Sequence, residues 1–282
     1  MNSNEKKALE ITACKVRMGV VTGVYCAQSG HPGGSLSAAD VFTYLYFKEM
    51  RNIDPKNPKN PERDRFVLSK GHTCPGLYSA LAERGYFPKE ELKTLRHIGA
   101  MLQGHPDMKH TPGIDMSSGS LGQGISAACG MALAGKMDKK DYRVYTVLGD
   151  GELEEGQVWE ASMFAGHHAL DNLCVIVDYN GLQIDGPVAE VGGPMPIDQK
   201  FEAFGFDVQK IDGHSFDEME KAFAHARETK GKPSCIILKT TKGKGVSYME
   251  NQVGWHGKAP NEEQYKQAMT ELKAQLAGLE AE

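Results

Sequence analysis

The chain lacks a CxxC pair, an excess of positive charge, and any apolar stretch near its start long enough to span a bilayer. Each absence removes a class of protein. Its six cysteines (Cys14, Cys26, Cys74, Cys129, Cys174 and Cys235) are scattered, which suits neither a zinc ribbon nor a disulfide framework. Cys129, Cys174 and Cys235 stand in apolar runs and read as buried free thiols. The apolar stretch at residues 19–27 falls well short of the about 20 residues a spanning helix needs. The polar opening MNSNEKKALE is no secretory signal. A net charge of −5 gives no cause to expect nucleic acid or an anionic membrane as a partner. Internal repeats and low-complexity segments are also missing. The expectation is a cytoplasmic protein. Its 282 residues, 40% hydrophobic and 24% charged, suit one large α/β domain or two small ones.

What is present is an alternation of helical and strand-like segments. Residues 4–28 predict a helix, with Leu9, Ala13, Val16, Val20 and Val24 at three-to-four spacing. The loop Ser29-Gly-His-Pro-Gly-Gly-Ser35 ends it, and a second helix is expected from Ser37. Residues 65–69 predict a short strand running into Gly71-His72, with a solvated polar connection before it at 52–61. Helices are expected at 125–137 and 155–169, and buried strands at 142–148, 173–178 and 234–239. Strands alternating with helices predict a doubly wound, mostly parallel sheet flanked by helices. A last helix, over 260–279, carries Tyr265, Ala268, Met269, Leu272, Leu276 and Leu279 on one stripe, for packing on the core or on another chain. The domain reading is therefore 1–260, followed by a C-terminal helix in 261–282 that packs on the core or lies at a subunit interface.

The densest chemistry lies at two strand ends. Gly149-Asp150-Gly151 closes one hydrophobic strand, and Asn180 follows another thirty residues later. Strand ends in a parallel sheet bring hard oxygen ligands to the edge where helix N-termini attract anions. Magnesium takes near-octahedral oxygen ligation, commonly a carboxylate plus phosphate oxygens. Asp150 offers the carboxylate, Asn180 an amide oxygen and Leu182 a backbone carbonyl, while Gly149 and Gly151 let the backbone approach a diphosphate. A plain strand-ending turn is the alternative for Gly-Asp-Gly alone, and Asn180 at this spacing argues against it.

Gly149-Asp-Gly-Glu-Leu-Glu-Glu-Gly-Gln-Val-Trp-Glu160, with Asp178-Tyr-Asn180, resembles the thiamine diphosphate fingerprint of the transketolase family. Ser29-Gly-His-Pro-Gly-Gly, Lys70-Gly-His, Gly104-His-Pro and Gly119-Ser-Leu-Gly-Gln-Gly124 fit the same family in the same order. The resemblance covers about residues 10–260 and implies the diphosphate-binding domain of the thiamine diphosphate fold. The synthase that joins pyruvate to glyceraldehyde phosphate shares the general fingerprint, but its segment after Gly-Asp-Gly is expected to read differently. Pyruvate dehydrogenase-type subunits lack the set of histidine loops.

The resemblance also implies roles. Asp150, Asn180 and Leu182 would hold magnesium, or another divalent cation such as Ca2+ or Mn2+. His31, His72, His105 and His256, each in a Gly- or Pro-flanked loop, would serve catalysis. Of these, His31 and His256 would bond the substrate and assist proton transfer, and His105 would orient the hydroxyl beside the carbonyl. His72 would sit by the diphosphate, which His256 also reaches. Gly119 and Leu121 would contact the cofactor rings, and Ile184 would pack on the thiazolium. Glu155 either couples cofactor sites between subunits or is a first-turn helix acid favoured by the macrodipole. The Thr241-Lys-Gly-Lys-Gly245 loop either faces the diphosphate or is a basic turn.

In this family the glutamate that engages the aminopyrimidine, the aromatic platform and the sugar phosphate arginines come mostly from a second domain. The chain ends at Glu282, so the expectation is the N-terminal subunit of a two-chain transketolase. It would be completed by a separate C-terminal subunit in an α2β2 heterotetramer acting on sugar phosphates. A cofactor-binding module without turnover is the competing expectation.

Overall fold

In chain order the helices are α1 (Ser3–Ala27), α2 (Pro32–Ser37), α3 (Ala39–Tyr44), α4 (Cys74–Arg84), α5 (Gln123–Met137), α6 (Gly156–His167), α7 (Val188–Val191), α8 (Ile197–Ala203), α9 (Phe216–Glu228) and α10 (Glu262–Ala281). The strands are β1 (Arg65–Leu68), β2 (Val144–Gly149), β3 (Leu173–Tyr179), β4 (Leu182–Gln183), β5 (Gly186–Pro187), β6 (Asp207–Asp212) and β7 (Ser234–Lys239). The structure is a computed structural model and describes residues 1–281.

The start of α1 is fixed by a capping box. Asn2 Oδ1 accepts the Glu5 N–H at 2.9 Å, and Glu5 Oε2 accepts the Asn2 N–H at 3.1 Å. Its far end closes on Gln28 in the left-handed region.

Five strands form one all-parallel sheet in the order β1-β2-β3-β7-β6, and β4 and β5 form a small antiparallel hairpin. Residues alternate between the two faces of the sheet. On β3, Cys174 and Ile176 enter the core shared with α1, α3, α4 and α9, whereas Val175 and Val177 enter the core under α5, α6 and α8. β2 and β7 split in the same way. Burial on both faces explains why these strands read as continuous apolar runs, each buried Val, Ile or Leu contributing about 1.5–3 kcal/mol. The expected doubly wound parallel sheet is the one found.

Two local expectations need correction. The second helix begins at Pro32, not Ser37, because proline suits the first helical position. Its glycines are there for close packing. A Cβ on Gly33 would lie 2.8 Å from the Trp255 carbonyl oxygen, and one on Gly34 would lie 2.8 Å from Thr73 Cγ2. The edge strand β6 was not anticipated, since Asp-Val-Gln-Lys-Ile-Asp is partly exposed and shows no continuous apolar run. At the C-terminus, α10 lies against α1: Ala268 and Leu272 are buried with Cys14, Val20 and Val21, and the rings of Tyr25 and Tyr265 stack at 4.1 Å. Among the described residues no helix is long and apolar enough to cross a membrane.

Candidate active site

The carboxyl ends of β2, β3 and β7 open into a cleft of about 330 Å³. Four charged side chains meet at its floor. Asp178, wholly buried near the end of β3, accepts hydrogen bonds from Lys70, Thr240 and Ser37, the last at 2.6 Å. Burial pushes its carboxyl up, but Lys70 and these hydrogen bonds outweigh that and hold it below the usual carboxylate range. Asp150, at the end of β2, accepts the Gly181 N–H at 2.5 Å and the Gly151 N–H at 2.9 Å. Burial, with the nearby Asp178 charge, raises it to about 6. Lys242 is 1% exposed and donates to the Leu182 carbonyl at 2.8 Å and to His256 Nδ1 at 2.9 Å. Burial, aided by Lys70, lowers it to about 8 against the opposing pull of Asp150 and Asp178.

A fifth group organises the loops above this floor. Glu152, buried in the turn after Gly-Asp-Gly, accepts from Ser69 Oγ at 2.5 Å, Gly122 N at 2.9 Å and Gly149 N at 3.0 Å. One carboxylate thus ties the end of β1, the glycine loop before α5 and the end of β2 together. Burial raises its pKa.

Three of the four expected histidines form a triangle on the cleft wall. The His31–His72, His72–His256 and His31–His256 ring centroids lie 5.0, 5.3 and 5.5 Å apart. Burial is the main reason all three stay neutral, and neighbouring cations reinforce it. His31 is lowered to about 4, with help from Arg96, and His256 to about 3, with help from Lys242; His72 falls well below its usual value. Buried bases with depressed pKa values charge more readily in the unfolded chain. Their contribution to stability is therefore present above about pH 6.5 and is lost as the pH falls below it. The expected result is that the His31 and His256 ring-proton resonances keep their neutral positions from pH 8 to 5; titration near 6.5 would contradict this geometry.

His105, the most exposed of the four, does not line the cleft. It stands behind Gly119, where an added Cβ would lie 3.3 Å from its ring. Asp150, Asn180, Leu182, Gly119, Leu121, Gly149, Gly151 and Ile184 all line the cleft. Glu155 does not; it is the exposed N-cap of α6 and makes no side-chain capping bond. Sequence reasoning did not single out Lys70, Glu152, Asp178 or Gln183 as site residues. A signal existed for two of them, since Lys70 follows a buried strand and Asp178 interrupts an apolar one. Of the basic turn, Lys242 faces the cleft, whereas Lys244 lies 3.9 Å from Glu250 outside it.

The residues present fit a divalent cation with a diphosphate. Among the described residues no three His, Cys, Asp or Glu side chains converge in metal-ligating geometry. A cation here would therefore rely on one carboxylate, one amide oxygen, one carbonyl and oxygens brought by the ligand. Among the described residues His31 Nδ1 is buried without a hydrogen-bond partner, and a buried polar atom of this kind can take one from a ligand. A Cβ on Gly151 would fall 2.5 Å from Gln183 Oε1, so a side chain there would have to push the Gln183 amide aside.

Comparison with known proteins agrees with the geometry. Residues 9–277 match the family described as "Transketolase, thiamine diphosphate binding domain". The chain is 53% identical to a 6-deoxy-6-sulfo-D-fructose transketolase subunit of Clostridium sp. (strain MSTE9), over 88% of this chain and 90% of that protein. It is 43% identical to an apulose-4-phosphate transketolase subunit of Phocaeicola vulgatus, over 98% of each. Identity with the transketolase of Homo sapiens is 46%, over 96% of this chain but 43% of the human protein. The crystal structure of transketolase from Campylobacter jejuni superposes with a TM-score of 0.88 at 34% identity, covering 99% of this chain and 46% of that one. The chain thus spans under half the length of these longer transketolases.

Proposed function

We propose, from the premise that this chain belongs to the transketolase family, that it supplies the diphosphate-and-metal half of a two-chain transketolase moving a two-carbon ketol unit from a ketose to an aldose. The observation that carries this reading is the meeting of Asp150, Asn180 and the Leu182 carbonyl with Lys242 and three neutral histidines in one cleft. In this reading Asp150, Asn180 and Leu182 hold Mg2+, or Ca2+ or Mn2+ in its place. Lys242 and His72 face the diphosphate, and Gly119, Leu121 and Ile184 flank the cofactor rings. Bound thiamine diphosphate supplies the carbanion-stabilising chemistry.

The chain's own part is to hold and orient. His31 and His256, neutral at pH 7, donate to and accept from substrate hydroxyls and carry protons at their ring nitrogens. His105, outside the cleft lining but beside Gly119, would orient the hydroxyl beside the carbonyl of a substrate that extends past Gly119. Glu155, on the surface at the start of α6, is suited to contact across a subunit boundary. The relatives named as subunits match over 90% and 98% of their own length, which supports a second chain as the source of the remaining half. An α2β2 assembly in the cytoplasm follows from that reading.

The test is reconstitution. The purified chain should show no ketol transfer alone and should gain it with a C-terminal transketolase subunit. The donor panel should hold sugar phosphates and 6-deoxy-6-sulfo-D-fructose, because relatives are named for different ketoses. Full turnover by the isolated chain would overturn the two-chain reading.

A further inference from the structure

We propose that His214 is a positioning residue for Lys242, passing the order of the buried Arg17–Asp40 ion pair to the Thr241 amide and so fixing the turn that carries Lys242 into the cleft. Arg17 on α1 and Asp40 on α3 are 8% and 5% exposed, and Arg17 Nη2 donates to Asp40 Oδ2 at 2.5 Å. The same Oδ2 lies 2.6 Å from Nδ1 of His214, which follows β6. On the other side of the ring, the Thr241 backbone N–H points at Nε2 from 2.9 Å.

These contacts determine the tautomer. A backbone N–H can only donate, so Nε2 must be the bare acceptor and Nδ1 must carry the proton, which it gives to Asp40. A ring with a proton on Nε2 would face the Thr241 N–H donor to donor. Asp40 therefore acts on the turn through the imidazole, as a carboxylate behind a histidine sets what the far nitrogen can do.

The turn is held at neighbouring positions too. Thr240 N donates to the Tyr179 carbonyl at 3.0 Å, Gly243 N to the Gly33 carbonyl at 3.0 Å, and Asn251 N to the Lys242 carbonyl at 2.9 Å. Arg17 also packs beside the turn, since a Cβ on Gly245 would lie 3.0 Å from its Cδ. His214 does not line the cleft. Its effect on a ligand would therefore pass through Lys242, and this inference rests on the cofactor reading above.

Two substitutions separate the relay from simple packing. His214→Gln can place an amide oxygen near the Nε2 position and keep the acceptor for Thr241. His214→Asn reaches only the Nδ1 position, so it keeps Asp40 and loses Thr241. Amide hydrogen exchange over residues 240–246 is read first, without cofactor. Exchange at Thr241 should quicken on the order of tenfold in the Asn variant and by less in the Gln variant, which keeps the acceptor for Thr241 but gives up Asp40. Calorimetry with Mg2+ and thiamine diphosphate, on the chain mixed with a C-terminal transketolase subunit, should show the same order, with a loss of about tenfold for Asn and a smaller one for Gln. If the Gln variant exchanges like wild type, or both variants lose protection equally, the relay is wrong. A wild-type chain that binds no thiamine diphosphate even when mixed with a C-terminal transketolase subunit would sink the cofactor reading instead, leaving the exchange result to judge His214.

Discussion

Replacing Asp150 by alanine should lower Mg2+-dependent thiamine diphosphate affinity by more than about 100-fold, because loss of a mere outer-shell partner typically costs 10–100-fold. Asp150 is the one carboxylate in the proposed donor set, and an amide and a carbonyl oxygen do not replace its charge for a hard cation. Asp150→Asn makes the test sharper. The asparagine oxygen can still accept an N–H from Gly151 or Gly181, so the loop should survive. Folding stability without ligand should move the opposite way. Burial raises the Asp150 pKa to about 6, so the folded state penalises the charged form. The corresponding stability is present below about pH 4 and lost as the pH rises through about 6. A neutral side chain escapes that loss, and the Asn variant should melt higher than wild type at pH 7 while binding worse. Unchanged affinity in calorimetry would remove the metal assignment.

Asp178→Leu should destabilise the chain by about 3–5 kcal/mol, since it strands the Lys70 ammonium in the interior. That is a large share of the 5–15 kcal/mol that holds most domains together. Lys70 and Asp178 are 2% and 0% exposed at the side chain, so solvent does little to screen the pair. The double variant Lys70→Met/Asp178→Leu should recover much of the loss. Recovery should be incomplete, because the Ser37 and Thr240 hydroxyls also lose their acceptor. The wild-type pair has a matching pH signature. A depressed Asp178 contributes stability above about pH 4 that disappears as the pH falls through its folded value. Urea midpoints for wild type and the two variants decide the matter; an Asp178→Leu protein within about 1 kcal/mol of wild type would refute the buried-pair account.

The parts of the fold that could be read in advance are those where one physical demand dominates. β2, β3 and β7 are buried on both faces, and their apolar runs announce it. β6 lies at the sheet edge and is partly exposed along its length, so neither a continuous nor an alternating signal marks it. The helix beginning at Pro32 was hidden because two glycines argue for a loop. Here they serve contact with Trp255 and Thr73, and only tertiary structure creates those neighbours. In the site, ligand-type residues at strand ends were legible from their spacing. The charges that support them were not: Glu152 looks like any turn acid until donors from two distant segments, Ser69 and Gly122, are seen to join the nearby Gly149 N–H on it.

That convergence bears on how a ligand is received. Because Glu152 binds one hydroxyl and two backbone amides from three segments, the rim of the cleft is assembled when the chain folds, before anything enters it. Ordering entropy is then charged to folding and not to association. Binding should accordingly proceed with little rearrangement of residues 119–122 and 149–152, as a fast fit to a standing surface and not a slow closing of loops.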